Sequence, residues 1–225
     1  MATERAAVIW SLEEPERRVL AALAVLRVMA GGQLARLLAP EGIGRLVAAD
    51  LLRGGARPER FAPTPWGERL GLFLRGVAPV RRPALATAAL RHALAVAEAY
   101  TGLEEARRAG KVPNVDWLGP AEAGRLLGVR GERGPRLWPD AAFFPRPDVP
   151  VFLEVDRGKV TLGTLRAKLF DYDEGLGRHP GGWLAFLVER PGRARSVRGL
   201  VVGWGHPAAV LEGPEELVRF AAGLA

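Results

Sequence analysis

The sequence predicts an α+β protein with a helical N-terminal domain over residues 1–78 and an α/β domain over residues 79–225. Apolar residues recur at helical spacing through the first part of the chain. In the second half, short buried-strand runs alternate with helical stretches, and after the hairpin described below strands are predicted over 183–188 and 200–204 and a terminal helix over 214–224. Between them, Pro79-Val-Arg-Arg-Pro83 has two prolines that fix φ around an arginine pair, which is typical of a linker. A chain of 225 residues is long enough for one large domain or two small ones.

The N-terminal domain is predicted to hold three helices followed by a turn. A strong apolar pattern ends at Gly31-Gly32, and Pro40-Glu-Gly-Ile-Gly44 interrupts the helical pattern a second time. The segment 54–67 has the length of a small wing, and one more helix follows through Leu74. This order is that of a winged helix-turn-helix. The three helices are predicted over residues 13–29, 33–38 and 45–52.

A winged helix-turn-helix places its third helix in the major groove of double-stranded DNA, and basic residues of the wing contact phosphates. Acidic residues at 41, 50 and 59 weaken the positive field, so a module that only packs or forms a homodimer, with solvated arginines, stays an alternative. The residues predicted to contact DNA are Arg36, Arg45, Arg53, Arg57 and Arg60.

In the second domain, two short apolar runs bounded by proline predict a β-hairpin. Its arms are residues 141–144 and 151–155, joined by a loop of six or seven residues. Alternation along the strand puts Glu154 and Asp156 on one face. If Phe143 lies opposite Val151, Asp140 faces Glu154, whereas a slip of one residue would turn Asp140 to the other face.

Three carboxylates on such a hairpin need compensation, because like charges at short range are costly. Hard cations such as Mg²⁺ or Mn²⁺ take carboxylate oxygens, so Asp140, Glu154 and Asp156 are predicted to hold a metal. The alternative is that all three are solvent-facing residues at strand ends. Glu154 and Asp156 continue the apolar run Val151-Phe-Leu without an intervening turn residue, which favours a site.

The order Pro139-Asp140, then Glu154-Val-Asp-Arg-Gly158, then Leu165-Arg-Ala-Lys-Leu-Phe-Asp-Tyr172 resembles the plasmid replication-relaxation protein family. The segment Leu90-Arg-His-Ala-Leu-Ala-Val96 is also similar to that family, so the resemblance covers most of the chain. It implies a C-terminal PD-(D/E)XK nuclease-like domain, a function in plasmid or mobile-element replication, and plasmid replication proteins as partners.

The chain departs from the nuclease motif because Asp156 stands where that motif has its catalytic lysine. A helix predicted over 162–175, with Thr161 as N-cap, carries one of the three lysines of the chain, Lys168. If this helix packs beside the hairpin, Lys168 replaces the missing lysine. A surface lysine that pairs with Asp171 or another acid is the alternative. Arg157 and Arg166 are the predicted phosphate-contacting cations of this domain.

Composition narrows the function further. The net charge of +7 and pI near 10.8 favour a polyanionic partner. The absence of cysteine excludes thiolate zinc sites and cysteine nucleophiles. There is no Walker-type phosphate loop, and the three histidines are far apart in sequence, which argues against a histidine-metal relaxase. No apolar run approaches a membrane span, so a cytoplasmic location without membrane contact is expected.

Two functions survive these exclusions. The first is a Mg²⁺-dependent DNA endonuclease that nicks its substrate through Asp140, Glu154, Asp156 and Lys168. The second is a catalytically inactive DNA-binding replication factor that uses the nuclease fold as a scaffold. Tyr100 and Tyr172 are weaker candidates for covalent nucleophiles, since tyrosines at apolar helical spacing usually belong to a core.

Overall fold

The computed structural model describes residues 7–8, 10–54, 60–78, 85–132 and 134–225. The chain is a mixed α+β protein that forms two compact units, Met1–Thr101 and Gly102–Ala225. The long helix α5 (Thr87–Arg108) contains the division between them. The predicted linker at Pro79–Pro83 lies outside the described residues, so the domain boundary at residue 79 stays a prediction.

The first unit combines short helices with a small antiparallel sheet. The sheet has the strand order β1-β3-β2, with Met29 opposite Phe61 and Arg53 opposite Ala62. Before α5, its elements are α1 (Glu14–Leu26), β1 (Met29–Ala30), α2 (Gly31–Leu37), α3 (Pro40–Ala48), β2 (Leu52–Gly54), β3 (Arg60–Pro63) and α4 (Pro65–Leu74).

Three predicted helix boundaries in this unit are wrong. The first helix ends at Leu26 because Arg27 adopts a left-handed conformation (φ 73°), and the residues after it form β1. Gly31 therefore begins a helix instead of ending one. The third helix starts at Pro40, whose fixed φ suits a first helical turn, so the predicted interruption does not occur. Leu52 belongs to a strand instead of that helix.

Helix α4 packs closely against α1, and glycine makes this approach feasible. A Cβ atom at Gly71 would lie 2.4 Å from the carbonyl oxygen of Leu20 in α1. At Gly67 a Cβ would lie 1.9 Å from the carbonyl oxygen of Leu51. The hydroxyl of Thr64 accepts a hydrogen bond from the Gly67 amide and caps the helix, whose predicted end at Leu74 is confirmed.

The second unit is built on a five-stranded mixed sheet with the order β10-β9-β8-β7-β4. The pairs β10–β9 and β9–β8 are parallel, and the pairs β8–β7 and β7–β4 are antiparallel. After α5, its elements are β4 (Asp116–Leu118), α6 (Pro120–Leu127), β5 (Arg130–Gly131), β6 (Gly134–Pro135), β7 (Ala141–Arg146), β8 (Val149–Asp156), α7 (Leu162–Leu176), β9 (Trp183–Val188), α8 (Pro191–Val201), β10 (Ala208–Leu211) and α9 (Pro214–Leu224).

The hairpin is longer than predicted, and its turn is only Pro147-Asp148. Pro145 and Pro150 are tolerated within the strands because both lie beyond the segments that pair with the outer neighbours β4 and β9. The register shifts near the turn, between Phe143 and Arg146. The guanidinium group of Arg146 forms an ion pair with the Asp148 carboxylate at 2.9 Å. The predicted loop of six or seven residues is therefore wrong, but the two arms are where the sequence places them.

A strand predicted over 200–204 is also wrong. Leu200 and Val201 form the last turn of α8, and the strand that pairs with β9 is Ala208–Leu211. Pro191 starts this helix, whose buried side carries Ala194 and Val197, so its apolar end reflects helical packing. The predicted strand 183–188 and the terminal helix 214–224 are confirmed.

One face of the large sheet carries the site residues. Ala142, Phe152 and Phe186 on this face pack with residues of α6, α7 and α8 in a single apolar cluster. Because side chains alternate along β8, Glu154 and Asp156 lie on the same face as Phe152.

Candidate functional site

The candidate site is centred on Glu154, which lies two residues after Phe152 on β8 and therefore on the same face of the sheet. Its side chain is buried, with the residue only 5% exposed. Thr161 caps α7 by accepting a hydrogen bond from the Thr164 amide, as predicted. The apolar positions of that helix then turn Lys168 and Tyr172, one helical turn apart, toward the strand.

Both carboxylate oxygens of Glu154 accept hydrogen bonds from α7. The Lys168 ammonium group donates to Oε2 at 2.8 Å, and the Tyr172 hydroxyl donates to Oε1 at 2.7 Å. Helix α7 therefore packs beside the hairpin, which is the condition for Lys168 to reach the carboxylates. Asp171, the alternative partner, pairs with Arg136 at 2.7 Å.

Asp140 lies beside Glu154 because the predicted hairpin register is confirmed, with Phe143 opposite Val151. The Asp140 amide donates to the Leu153 carbonyl oxygen at 3.0 Å. Its Oδ2 accepts a hydrogen bond from the Val155 amide at 2.7 Å. The carboxylates of Asp140 and Glu154 are thus brought to the same face of the hairpin.

Burial and a second acid act against the negative charge of Glu154. Desolvation raises the pKa of Glu154, and the neighbouring Asp140 carboxylate raises it further, while Lys168 and Tyr172 act in the opposite direction. The pKa of Tyr172 is raised well above its ordinary value by burial and by the negative Glu154. Tyr172 therefore remains a proton donor to the carboxylate at neutral pH.

Asp156 lies on the same face but has different partners. Its Oδ2 accepts from Arg193 at 2.6 Å, and its Oδ1 accepts from the Gly158 amide at 2.7 Å. Within the described part of the chain, no group of three or more Asp, Glu, His or Cys side chains is arranged to hold a metal ion. The structure therefore brings Asp140 and Glu154 together but keeps Asp156 in a separate ion pair. Metal binding by these residues stays a prediction.

Two functional partners were missed by sequence reasoning. Arg193 was not considered, because α8 was not recognised as a helix that begins after β9. Tyr172 was considered only as a core residue or a nucleophile. Its spacing of four residues from Lys168 on a helix was the available signal that both side chains reach one acid.

The other predicted cations have varied environments. In the second unit, Arg157 pairs with Glu189 at 2.9 Å and Arg166 is exposed on α7. In the first unit, Arg36 pairs with Glu98, which also accepts from Gln33.

Arg45 pairs with Glu13 at 2.9 Å and with Glu16 at 2.8 Å, so it links α3 to the start of α1. Arg53 is exposed and Arg60 is half-buried, both next to the β2–β3 connection. Arg57 lies outside the described residues.

A family model described as replication-relaxation matches residues 20–180, which is well over half of the 225-residue chain. The chain belongs to the replication-relaxation family. The match covers the first unit from residue 20 onward, the hairpin and the whole of α7. Comparison with curated proteins and with solved structures finds no match. No helix among the described residues of this family member is long and apolar enough to cross a membrane.

Proposed function

We propose that this member of the replication-relaxation family is a double-stranded DNA-binding protein that acts in the replication of plasmids or mobile elements. The observation that carries the proposal is the order α1-β1-α2-α3-β2-β3, together with the three-stranded antiparallel sheet of the first unit. This order and sheet support a winged helix-turn-helix, with the β2–β3 connection as the wing.

Contact by this unit is expected to be mainly with phosphates. Arg45 is the single basic residue of α3, and its ion pairs with Glu13 and Glu16 turn it toward α1. The exposed positions of α3 include Glu41 and Val47, which are poorly suited to a DNA groove. Arg53 and Arg60 flank the proposed wing and are the better candidates. Binding should therefore be salt-dependent, with little sequence preference.

We assign a PD-(D/E)XK-like fold to the second unit. The assignment is supported by its acidic hairpin, which is followed by a helix and a parallel strand. In this proposal its acidic hairpin has a structural and not a catalytic function. The reason is that Lys168 and Tyr172 satisfy both oxygens of Glu154, and Arg193 satisfies Asp156, so the buried charges are compensated within the protein. A homodimer and protein partners of the replication machinery belong to the same proposal.

A binding titration tests the proposed DNA interface. The full chain should bind a short duplex, and Arg53→Ala combined with Arg60→Ala should weaken binding and flatten its salt dependence by about one power of the salt concentration for each lost phosphate contact. Arg146→Ala with Arg219→Ala is the matched control, since it removes two exposed cations from the second unit. Equal affinities for both double variants would contradict the winged-helix assignment.

A second candidate function is metal-dependent nicking of DNA. It is favoured by the position of Lys168, whose ammonium group lies 2.8 Å from Glu154 beside Asp140. Asp140 and Glu154 offer oxygens of the type that Mg²⁺ and Mn²⁺ prefer. Because Asp156 is held by Arg193, these are the two carboxylates that the structure groups among its described residues. Lys168 would stabilise negative charge on the scissile phosphate.

Supercoiled plasmid incubated with the protein and Mg²⁺ or Mn²⁺ tests this candidate. Nicking by the wild type that is lost in Glu154→Gln would support it, and Glu154→Gln keeps a neutral side chain of similar size at this buried position. Metal should also raise the melting temperature of the wild type but not of Glu154→Gln. Absence of nicking with either metal and several DNA forms would leave the scaffold function.

A further inference from the structure

Two chain segments that follow the parallel strands β8 and β9 are rich in cations. Residues 157–168 contain four lysines or arginines and no acid. Residues 189–198 contain four arginines, and Glu189 is their single acid. We name these two segments together the basic edge. Eight cations against one acid is a much stronger bias than the 32 against 25 of the whole chain.

The fold brings the two segments side by side. Asp156 and Val188 are register partners, so the chain leaves both strands at the same end of the sheet. Arg157 then pairs with Glu189 at 2.9 Å, and Arg193 donates to the carbonyl oxygen of Val160 at 2.6 Å. Gly158 has a positive φ of 73°, and a Cβ there would lie 3.7 Å from Cδ of Arg190.

Half of the eight cations are compensated by acids. Arg157, Lys168, Arg193 and Arg198 pair with Glu189, Glu154, Asp156 and Glu212. The other four are exposed, and among the residues that the structure describes none of them has an acidic partner. These uncompensated cations are Lys159, Arg166, Arg190 and Arg195.

The four uncompensated cations lie at one end of the unit. Lys159 and Arg190 are in the adjacent connections that follow β8 and β9. Arg166 and Arg195 are each the fifth residue of the helix that comes next, α7 or α8, and so lie only about 6 Å along the helix axis from its start. Neither helix has an acidic residue in its first turn. These four cations therefore leave an excess of positive charge at this end of the unit.

We infer that the basic edge binds the phosphate backbone of DNA, as a contact region separate from Arg53 and Arg60. The inference rests on the proposed function in taking DNA as the ligand. The cations are solvent-exposed and spread over two connections and two helices, so they suit an extended polyanion better than a small anion. Duplex DNA carries about one negative charge per 1.7 Å of axis, which gives such a surface several phosphates to contact at once.

The test compares three variants of the full chain in duplex-binding titrations over a range of salt concentrations. The edge variant changes Lys159, Arg166, Arg190 and Arg195 to Ala. The charge-matched control changes four exposed cations of the same unit outside the edge, namely Lys111, Arg125, Arg146 and Arg219. The third variant is Arg53→Ala with Arg60→Ala. Thermal melts confirm that each variant is folded.

The edge variant is expected to bind at least about tenfold more weakly than the charge-matched control near 0.1 M salt. Its salt slope should fall by roughly two to four, since up to four phosphate contacts are lost. If the edge variant binds as tightly as the control while Arg53→Ala with Arg60→Ala loses binding, the inference about the basic edge is wrong and the proposed function remains intact. The reverse pattern would support the edge and contradict the winged-helix assignment. A wild type that binds no duplex would overturn the proposed function, and with it the edge.

Discussion

Glu16 and Glu154 are buried to a similar degree, at 1% and 5% exposure, but different kinds of partner hold them. Glu16 lies in the first turn of α1, where its Oε2 accepts from the Glu13 amide and its Oε1 accepts from Arg45. Within the described part of the chain, the carboxylate of Glu154 has only side-chain partners, which come from a different element, and a second acid lies beside it. One carboxylate completes a helix cap, whereas the other is held by tertiary structure alone.

The two glutamates differ in how far local structure accounts for their hydrogen bonds. The hydrogen bond that Glu16 accepts from the Glu13 amide caps the start of α1, and Arg45 compensates its charge. Glu154 completes no local structure, and its pKa is raised by burial and by Asp140, which is the pattern of electrostatic stress that functional sites often show. Three variants and one pH titration test whether the two buried carboxylates differ in this way.

The largest effect is expected from Lys168→Met. Among the described residues Lys168 is the one cation bonded to Glu154, so the change leaves a buried, uncompensated carboxylate and the free energy of unfolding should fall by about 3 kcal/mol. Lys168→Met with Glu154→Gln should recover most of this loss, since no buried charge is left without a partner. Denaturant titration measures both, with the exposed Lys159→Met as control. A double variant as unstable as Lys168→Met would refute charge compensation.

Tyr172→Phe should have the next largest effect. It removes the hydroxyl that donates to Glu154 at 2.7 Å while it keeps the buried ring. A hydrogen bond to a charged group contributes about 1.5–3 kcal/mol, and the lower end is expected because Lys168 remains. Denaturant titration of the variant gives the value, and no loss of stability would show that Lys168 alone suffices.

The free energy of unfolding should decrease as pH rises, because Glu154 loses its proton. Its folded-state pKa is above the ordinary 4.5, so over the window from 4.5 upward the folded protein binds more protons than the unfolded chain. The stability that Glu154 contributes is therefore full below this window and is lost as pH rises through the folded-state pKa. Over that range the free energy of unfolding falls by up to about 1.4 kcal/mol per pH unit. The wild type minus Glu154→Gln difference isolates it. A difference that grows with pH would contradict the raised pKa.

Arg45→Ala should have the smallest effect. Glu16 keeps the hydrogen bond from the Glu13 amide, and the exposed arginine is well screened by solvent. The melting temperature should fall less than in Tyr172→Phe and much less than in Lys168→Met. A loss comparable to that of Lys168→Met would mean that both buried glutamates depend equally on their cations, and the contrast between them would fail.

The sequence predicts several elements well, because they follow from local rules. Proline bounds locate both arms of the β7–β8 hairpin, and of the two registers that the sequence leaves open, the structure has Phe143 opposite Val151. Thr161 marks the start of α7 at the position where the structure has it. The predictions fail where one local signal is compatible with two structures. Pro40 was expected to interrupt a helix but begins α3. The apolar run at 200–204 was expected to form a strand, but its first two residues end α8.

Within the candidate site, the sequence by itself determined which residues share a face of β8 and which helix follows them. Strand alternation and helical spacing depend only on neighbours along the chain. Tertiary structure decided the partners: Tyr172 and Lys168 hold Glu154, Arg193 holds Asp156, and Arg45 joins Glu16. An exposed arginine and an ion-paired one look alike in sequence, because the choice between them depends on how elements far apart in the chain pack together.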